Sequence, residues 1–296
     1  MKISIVMPTY RPGFCLTFRS LCRINFPAND WEFIFSDEIK YKRADAVARY
    51  AKKFGLDKKL KHVQAPIYPY FSIASTINAG IKAATGELVV FMGDYTWMMP
   101  DYLTKAWDVY ENFQDAGLCG SYIDLECPAT KLNYKNYSFS VFKAPMGYFL
   151  GMPVAYPDMR GNYVHNWIDG NRGWLTGQFT QGLVSIPRNL LIAVNGYDEM
   201  YDNGKGMDDF DMVQMCRLMG FRFLYDKSAI VYRATHPHGD LVGPFKDKPY
   251  QRSMEQNKRL FEAKLALLNR GMLRVWEHKG IREDIKSRIE VDSKPS

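Results

Sequence analysis

The chain has 296 residues, 47% of them hydrophobic and 24% charged, with a net charge of +7. That length suits one large α/β domain or two small ones, and the composition excludes a disordered or collagen-like chain. Five cysteines without a CxxC pair exclude a disulfide framework and argue against a zinc site, and no apolar run approaches a membrane span.

In chain order, Ile3 to Met7 is a short apolar run closed by Pro8, which predicts a buried strand. A chain that opens in a strand predicts no signal peptide, and with reduced thiols it predicts a cytoplasmic protein. Residues 14 to 24 predict a helix through Phe14, Leu16, Phe18, Leu21 and Ile24. Trp31 to Phe35 predicts a second strand, ended by Ser36-Asp37-Glu38. A basic helix over 43 to 54 and a short strand at His62-Val63 follow. Ser72 is expected to cap a helix with Ile73, Ala74, Ile77 and Ile81 on its apolar face, stopped by Gly86. Leu88 to Met92 predicts a fourth strand, Asp101 to Phe113 a helix and Leu118 to Leu125 a strand. Residues 127 to 180 are rich in Tyr, Asn, Gly, Pro and Trp with weak periodicity, the pattern of a long binding loop. Strands are expected again at 183 to 186 and 221 to 232. Residues 250 to 276 predict an amphipathic helix, with Leu260, Phe261, Leu265, Leu268 and Leu273 apolar and Arg252, Lys258, Arg259 and Arg270 basic.

Strands alternating with helices imply βαβ units and a mostly parallel sheet, with ligands at the carboxyl ends of the strands. Three such ends carry polar residues: Thr9-Tyr10-Arg11, Asp37-Glu38 and Gly93-Asp94-Tyr95. Loops are polar in any case, so this pattern alone does not make a site. A second cluster, NGYDEMYDNGKGMDDFDMVQMCRLMG at 195 to 220, leads from a Gly-rich turn into Asp208, Asp209 and Asp211. Acids in a first helical turn are favoured by the free N–H groups there. Three exceed what a cap needs, and adjacent carboxylates raise one another's pKa, as a general base requires.

The segments SIVMPTYRP, WEFIFSDE, Asn78-Ala79-Gly80, GELVVFMGDYTWMMPDYL, NGYDE and GMDDFDMVQMCRL occur in that order. Together they resemble a GT-A fold glycosyltransferase of the family 2 type, over roughly residues 1 to 235. The resemblance implies a Rossmann-like, mostly parallel sheet. Its nucleotide-binding half spans 1 to 125 and its acceptor half 126 to 240, followed by a basic helical extension over 241 to 296. It implies that Pro8, Thr9, Tyr10 and Arg11 wrap the nucleotide. Asp37, with Glu38, would accept the uracil N–H. Asp209 would be the base, Asp208 would orient the acceptor, and Trp174 and Asp211 would stand on the acceptor side. A core tryptophan is the alternative for Trp174.

The family's Asp-x-Asp metal motif aligns with Gly93-Asp94-Tyr95, so only its middle residue is acidic. The resemblance then implies Mn²⁺ or Mg²⁺ held by Asp94 with phosphate and water, with His236 or His238 as a further ligand; the alternative is that Asp94 bonds only the ribose or the backbone of a metal-independent enzyme, in which Lys, Arg or His side chains neutralise the leaving group. The implied reaction moves a sugar from a UDP-linked donor to a hydroxyl acceptor with inversion. Two alternatives remain: a binding module that has lost catalysis, and a transferase acting on a modified nucleic-acid base. Of the net charge, +5 lies beyond residue 240. That tail implies an anionic partner, namely nucleic acid, a phosphorylated acceptor or a membrane surface, or else a solvated helix face.

Overall fold

The computed structural model describes residues 1–9, 15–94, 96–125, 154–156, 162–176, 184–204, 206–234 and 251–281. Its first sheet is built on β1 (Ile3–Thr9), β2 (Trp31–Asp37), β3 (Leu60–Gln64) and β4 (Leu88–Phe91). All four run parallel, and β10 (Ser185–Pro187) adds to β4 antiparallel, giving the order β10-β4-β1-β2-β3. Every residue of β2 and β4 is buried, as expected for strands covered on both faces. Helices α1 (Cys15–Leu21), α2 (Lys40–Lys53) and α3 (Ile73–Ala83) supply that cover.

The second sheet is centred on β6 (Ala116–Leu125) and β11 (Arg222–Ala234), which run parallel. β7 (Val154–Tyr156), β8 (Val164–Trp167) and β9 (Arg172–Leu175) complete the order β7-β6-β11-β9-β8, and β5 (Thr96–Met98) pairs separately with β11. The two sheets touch through a bridge between Cys119 and Val184. Gly117 permits that approach, because a Cβ there would stand 1.9 Å from the Ser185 carbonyl oxygen. Helices α4 (Tyr102–Asn112), α5 (Arg188–Ala193), α6 (Asp208–Leu218) and α7 (Met254–Asn269) pack around the sheets. No helix among the described residues is long and apolar enough to cross a membrane.

Two local expectations change. Ser72 occupies the N-cap position of α3 without capping it, and its hydroxyl donates instead to Glu38 at 3.3 Å. The Asp202 carboxylate takes the free N–H groups of Ala74 and Ser75, at 2.9 and 3.1 Å. A tertiary cap thus ties α3 to the loop before α6. The C-terminal helix is shorter than its apolar pattern suggests, and it has a capping box at Ser253 and Gln256. Its apolar side faces inward: Phe261 is buried, and Leu265 and Leu268 pack against the second core. That face is therefore not available to lie on a bilayer.

Candidate active site

A cleft of about 380 Å³ opens at the carboxyl end of β1 and β4. Pro8, Met92 and Gly93 line one part, Ile73 and Ile77 another, and Asp208, Asp209, Tyr197, Tyr122 and Arg233 the rest. Two of the three strand ends that the sequence singled out, those of β1 and β4, therefore meet the acidic pair in one place, while the Asp37-Glu38 end does not line the cleft.

The acidic pair opens α6. Gly206 and Met207 both take positive φ, at +69° and 78°, which turns the chain sharply into the helix. Asp208 and Asp209 then stand in the first turn on the cleft wall. Burial raises the pKa of both. The Asp209 charge raises Asp208 further, while the Tyr197 hydroxyl donates to Asp209 and holds it lower. Asp209 is therefore the member that ionises more readily, with its proton affinity still above the ordinary carboxylate range. A base of that kind is matched to neutral pH.

Tyr197 is held on three sides. Its N–H donates to the Asn78 side-chain oxygen at 2.9 Å, and its carbonyl accepts from the Asn78 amide at 2.8 Å. Its ring meets Phe91 edge-on, with centroids 5.6 Å apart. The NGYDE segment carries this tyrosine, and its buried polar contact with Asp209 is the role that the sequence alone did not disclose.

Arg233 and Tyr122 were also missed. Asp124 accepts from Arg233 Nε at 2.6 Å and from Nη2 at 2.7 Å, and the guanidinium lies 4.6 Å from the Tyr122 ring centre. The only available signal was an arginine at the end of the last long strand, next to the ATHPHGD segment.

Several expected residues take other roles. Asp211 is buried away from the cleft. Tyr201 donates to its Oδ1 at 3.2 Å, and Lys264 of α7 donates to its Oδ2 at 2.8 Å. The same ammonium donates to Asp198 at 2.8 Å, so Asp211 anchors the C-terminal helix and does not meet an acceptor. Burial raises the Asp211 carboxyl to about 6 in spite of Lys264. Trp174 packs edge-on against Phe113 at 5.5 Å and beneath the Arg222 guanidinium at 4.1 Å, outside the cleft lining. It is half-buried at the edge of the first core.

Asp37 is also displaced from its expected role. It is 0% exposed. Its carboxylate accepts from Arg43 Nε at 2.7 Å, Arg43 Nη2 at 2.8 Å, the Ile39 N–H at 2.9 Å and His62 Nε2 at 2.8 Å. Those four bonds fill its acceptor directions, which leaves none for a base N–H. Burial pushes its pKa up, but the His62 and Arg43 contacts outweigh it and hold the carboxyl below its ordinary value. An ionised Asp37 fixes the His62 proton on Nε2. Asp37→Asn is expected to lower stability by about 1.5–3 kcal/mol through the lost charge-assisted bonds. Chemical denaturation tests this: unchanged stability with weakened nucleotide binding would restore the base-reading role. Glu38, equally buried, accepts from Ser72 and Thr76.

Thr9 lies at the end of β1, and its hydroxyl donates to Asp94 at 3.3 Å. Asp94 is thus tied to the first-strand loop. Among the described residues, no cluster of three His, Cys, Asp or Glu side chains is arranged to hold a metal ion. Gly93 contributes no ligand. Tyr10, Arg11, Tyr95, His236 and His238 lie outside the described residues.

Comparison with known proteins bears on the fold and the family. Among curated proteins none matches the sequence. Solved structures match the fold at low identity. S. aureus TarS 1-349 in complex with UDP-GlcNAc superposes with a TM-score of 0.56 at 14% identity, covering 80% of this chain and 59% of that one. The mannosyltransferase PcManGT from Pyrobaculum calidifontis, in complex with GDP-Man and Mn²⁺, gives 0.54 at 16% identity, covering 80% and 58%. GalNAc-T7 with UDP, GalNAc and Mn²⁺ gives 0.57 at 10% identity, covering 81% and 45%. The chain thus spans about three fifths of the first two and under half of the third. These matches establish the GT-A fold. The model of glycosyl transferase family 2 matches residues 4–169, more than half the chain, and the protein belongs to that family of glycosyltransferases.

Proposed function

We propose that the protein transfers a sugar from a nucleoside diphosphate sugar, UDP-linked in the first instance, to a hydroxyl acceptor with inversion. The observation that carries this is the pairing of Asp208-Asp209 with the carboxyl ends of β1 and β4 around one cleft. The UDP-GlcNAc bound in TarS and the GDP-Man bound in PcManGT support the donor class.

In this reading Pro8, Thr9 and the Met92-Gly93 turn carry the donor, with Asp94 fixing the turn. The acceptor oxygen approaches from the Asp208-Asp209 side. Asp209 takes its proton as the oxygen bonds to the anomeric carbon. The bond from that carbon to the β-phosphate oxygen breaks, and its electron pair leaves with the diphosphate. Asp208, the more strongly protonated member, donates a hydrogen bond to the acceptor. Asn78, Phe91 and Tyr197 hold Asp209 in register. The relatives solved with Mn²⁺ make a divalent cation a reasonable addition, but no step here depends on one.

Release of free nucleotide from UDP-GlcNAc, UDP-glucose, UDP-galactose and GDP-mannose, with mixed glycan acceptors, tests the reading. Acceptor-stimulated release from one donor supports it. Tight nucleotide binding without turnover points instead to a non-catalytic binding module.

The acidic pair also sets an expected pH dependence. Transfer should rise with pH through a window above the ordinary carboxylate range, as Asp209 loses its proton while Asp208 keeps its own. Stability should move the other way. Carboxyls whose pKa is raised by folding stabilise the native state below their unfolded pKa, and that contribution is lost as pH rises through the folded value. Asp202, raised by burial to about 7, adds to the same trend. Parallel rate and thermal-melt profiles check this; a rate independent of pH above the ordinary carboxylate range would remove the pair from the proton transfer.

A further inference from the structure

A departing diphosphate needs positive charge, and the Asp-x-Asp position supplies little: it reads Gly93-Asp94-Tyr95. Among the described residues lining the cleft, the one cation is Arg233. It enters from β11.

Its geometry suits an anion. Asp124 takes the side-on fork of the guanidinium, formed by Nε and one Nη2 hydrogen. That pairing clamps the group, and the Tyr122 ring beneath it limits rotation. The Tyr122 side chain hydrogen-bonds the guanidinium as well, and the end-on fork, made by Nη1 and the second Nη2 hydrogen, is not used by Asp124. A planar fork of that kind matches two oxygens of a phosphate. The side chain is 32% exposed, so it is reachable from the cleft, while Asp124 is 11% exposed.

Gly93 makes this arrangement possible. A Cβ there would have ordinary contacts, 3.6 Å from Thr96 Cγ2 and 4.0 Å from the Tyr122 hydroxyl. An aspartate therefore fits sterically, but its carboxylate would stand near the guanidinium and compete for it. With glycine at that position, position 93 adds no carboxylate beside Tyr122 and the guanidinium that it touches.

We propose that Arg233 is the cation that binds the donor's diphosphate and stabilises the charge left on it when the sugar departs. It takes over part of the work of a metal held by an intact Asp-x-Asp pair. The inference rests on the nucleotide-sugar reading above and adds to it the group that meets the phosphates.

Titration calorimetry in EDTA tests it, using UDP and GDP with uridine and guanosine as their phosphate-free controls. Wild-type protein is expected to bind one diphosphate more tightly than its nucleoside. Arg233→Gln should weaken the diphosphate by about 10- to 100-fold, the worth of a charge-assisted pair, and leave the nucleoside unchanged. Because Arg233→Gln leaves Asp124 without its counter-charge, Asp124→Asn/Arg233→Gln keeps that site neutral and should show the same selective loss. Gly93→Asp, which leaves the Arg233–Asp124 pair intact, should weaken the diphosphate in the same way. Diphosphate affinity that survives in these variants overturns the proposal. So does a wild-type preference for diphosphate over nucleoside that appears only when Mn²⁺ replaces EDTA. A wild-type protein that binds neither diphosphate, with or without Mn²⁺, overturns the nucleotide-sugar reading and this proposal with it.

Discussion

Asp209→Asn is expected to lower sugar transfer by about 10²- to 10⁴-fold, the usual cost of removing a general base. The amide cannot take the acceptor proton, yet it is nearly isosteric and still accepts from the Tyr197 hydroxyl. Nucleotide affinity should therefore stay close to wild type, and the loss should appear in kcat. Asp208→Asn should be milder, since an amide N–H replaces the donor that a protonated Asp208 provides. Steady-state rates on the two variants separate the roles. If Asp209→Asn keeps activity within a few-fold while Asp208→Asn does not, the base assignment moves by one residue.

The second large effect is structural. Lys264→Ala is expected to cost about 3–5 kcal/mol of stability, because it leaves buried charge unpaired. The Lys264 side chain is 3% exposed, and its two partners, Asp198 and Asp211, are each 2% exposed. One ammonium thus serves two buried carboxylates from different segments. Asp198 follows Tyr197 directly, and Asp211 lies two positions beyond Asp209. The residues after α7 reinforce the same loop: the Asn195 amide donates to the His278 carbonyl at 2.8 Å, and the Glu199 N–H to that of Lys279 at 2.9 Å. Removing the chain beyond residue 250 should therefore destabilise the fold, where its basic charge alone suggested only a loss of acceptor binding. Denaturant midpoints check this. A Lys264→Ala protein as stable as wild type would show that the network carries no net energy, whereas partial recovery in Asp198→Asn/Asp211→Asn/Lys264→Met would confirm that unpaired charge is the cause.

What the sequence disclosed follows from the range over which each signal acts. Continuous apolar runs such as Trp31 to Phe35 and Leu88 to Met92 declare covered parallel strands without any tertiary knowledge. The Asp208-Asp209 pair was legible because two adjacent acids after a Gly-rich turn exceed a capping need. The partners of Trp174 and Asp211, Phe113 with Arg222 and Lys264 with Tyr201, were not legible because they come from distant segments. Residue type told of stacking and charge, but only the fold decides what satisfies them. Ser72 shows the same limit, since its capping role passes to Asp202 across the fold. Arg233 and Tyr122 sit on β11 and β6, strands far apart in the chain that meet only when the second sheet forms. Asp37 had the right address, at the end of β2, but the filling of its lone pairs by Arg43 and His62 is not written in any local motif.

The most direct measurement is a structure determined with UDP bound, or with GDP if that is the tighter ligand. The account predicts the nucleotide at the carboxyl ends of β1 and β4, its diphosphate between the Met92-Gly93 turn and the end-on fork of Arg233. Asp209 should remain open on the side from which an acceptor approaches. A nucleotide seated elsewhere, or a diphosphate turned away from both Arg233 and Asp209, would contradict it.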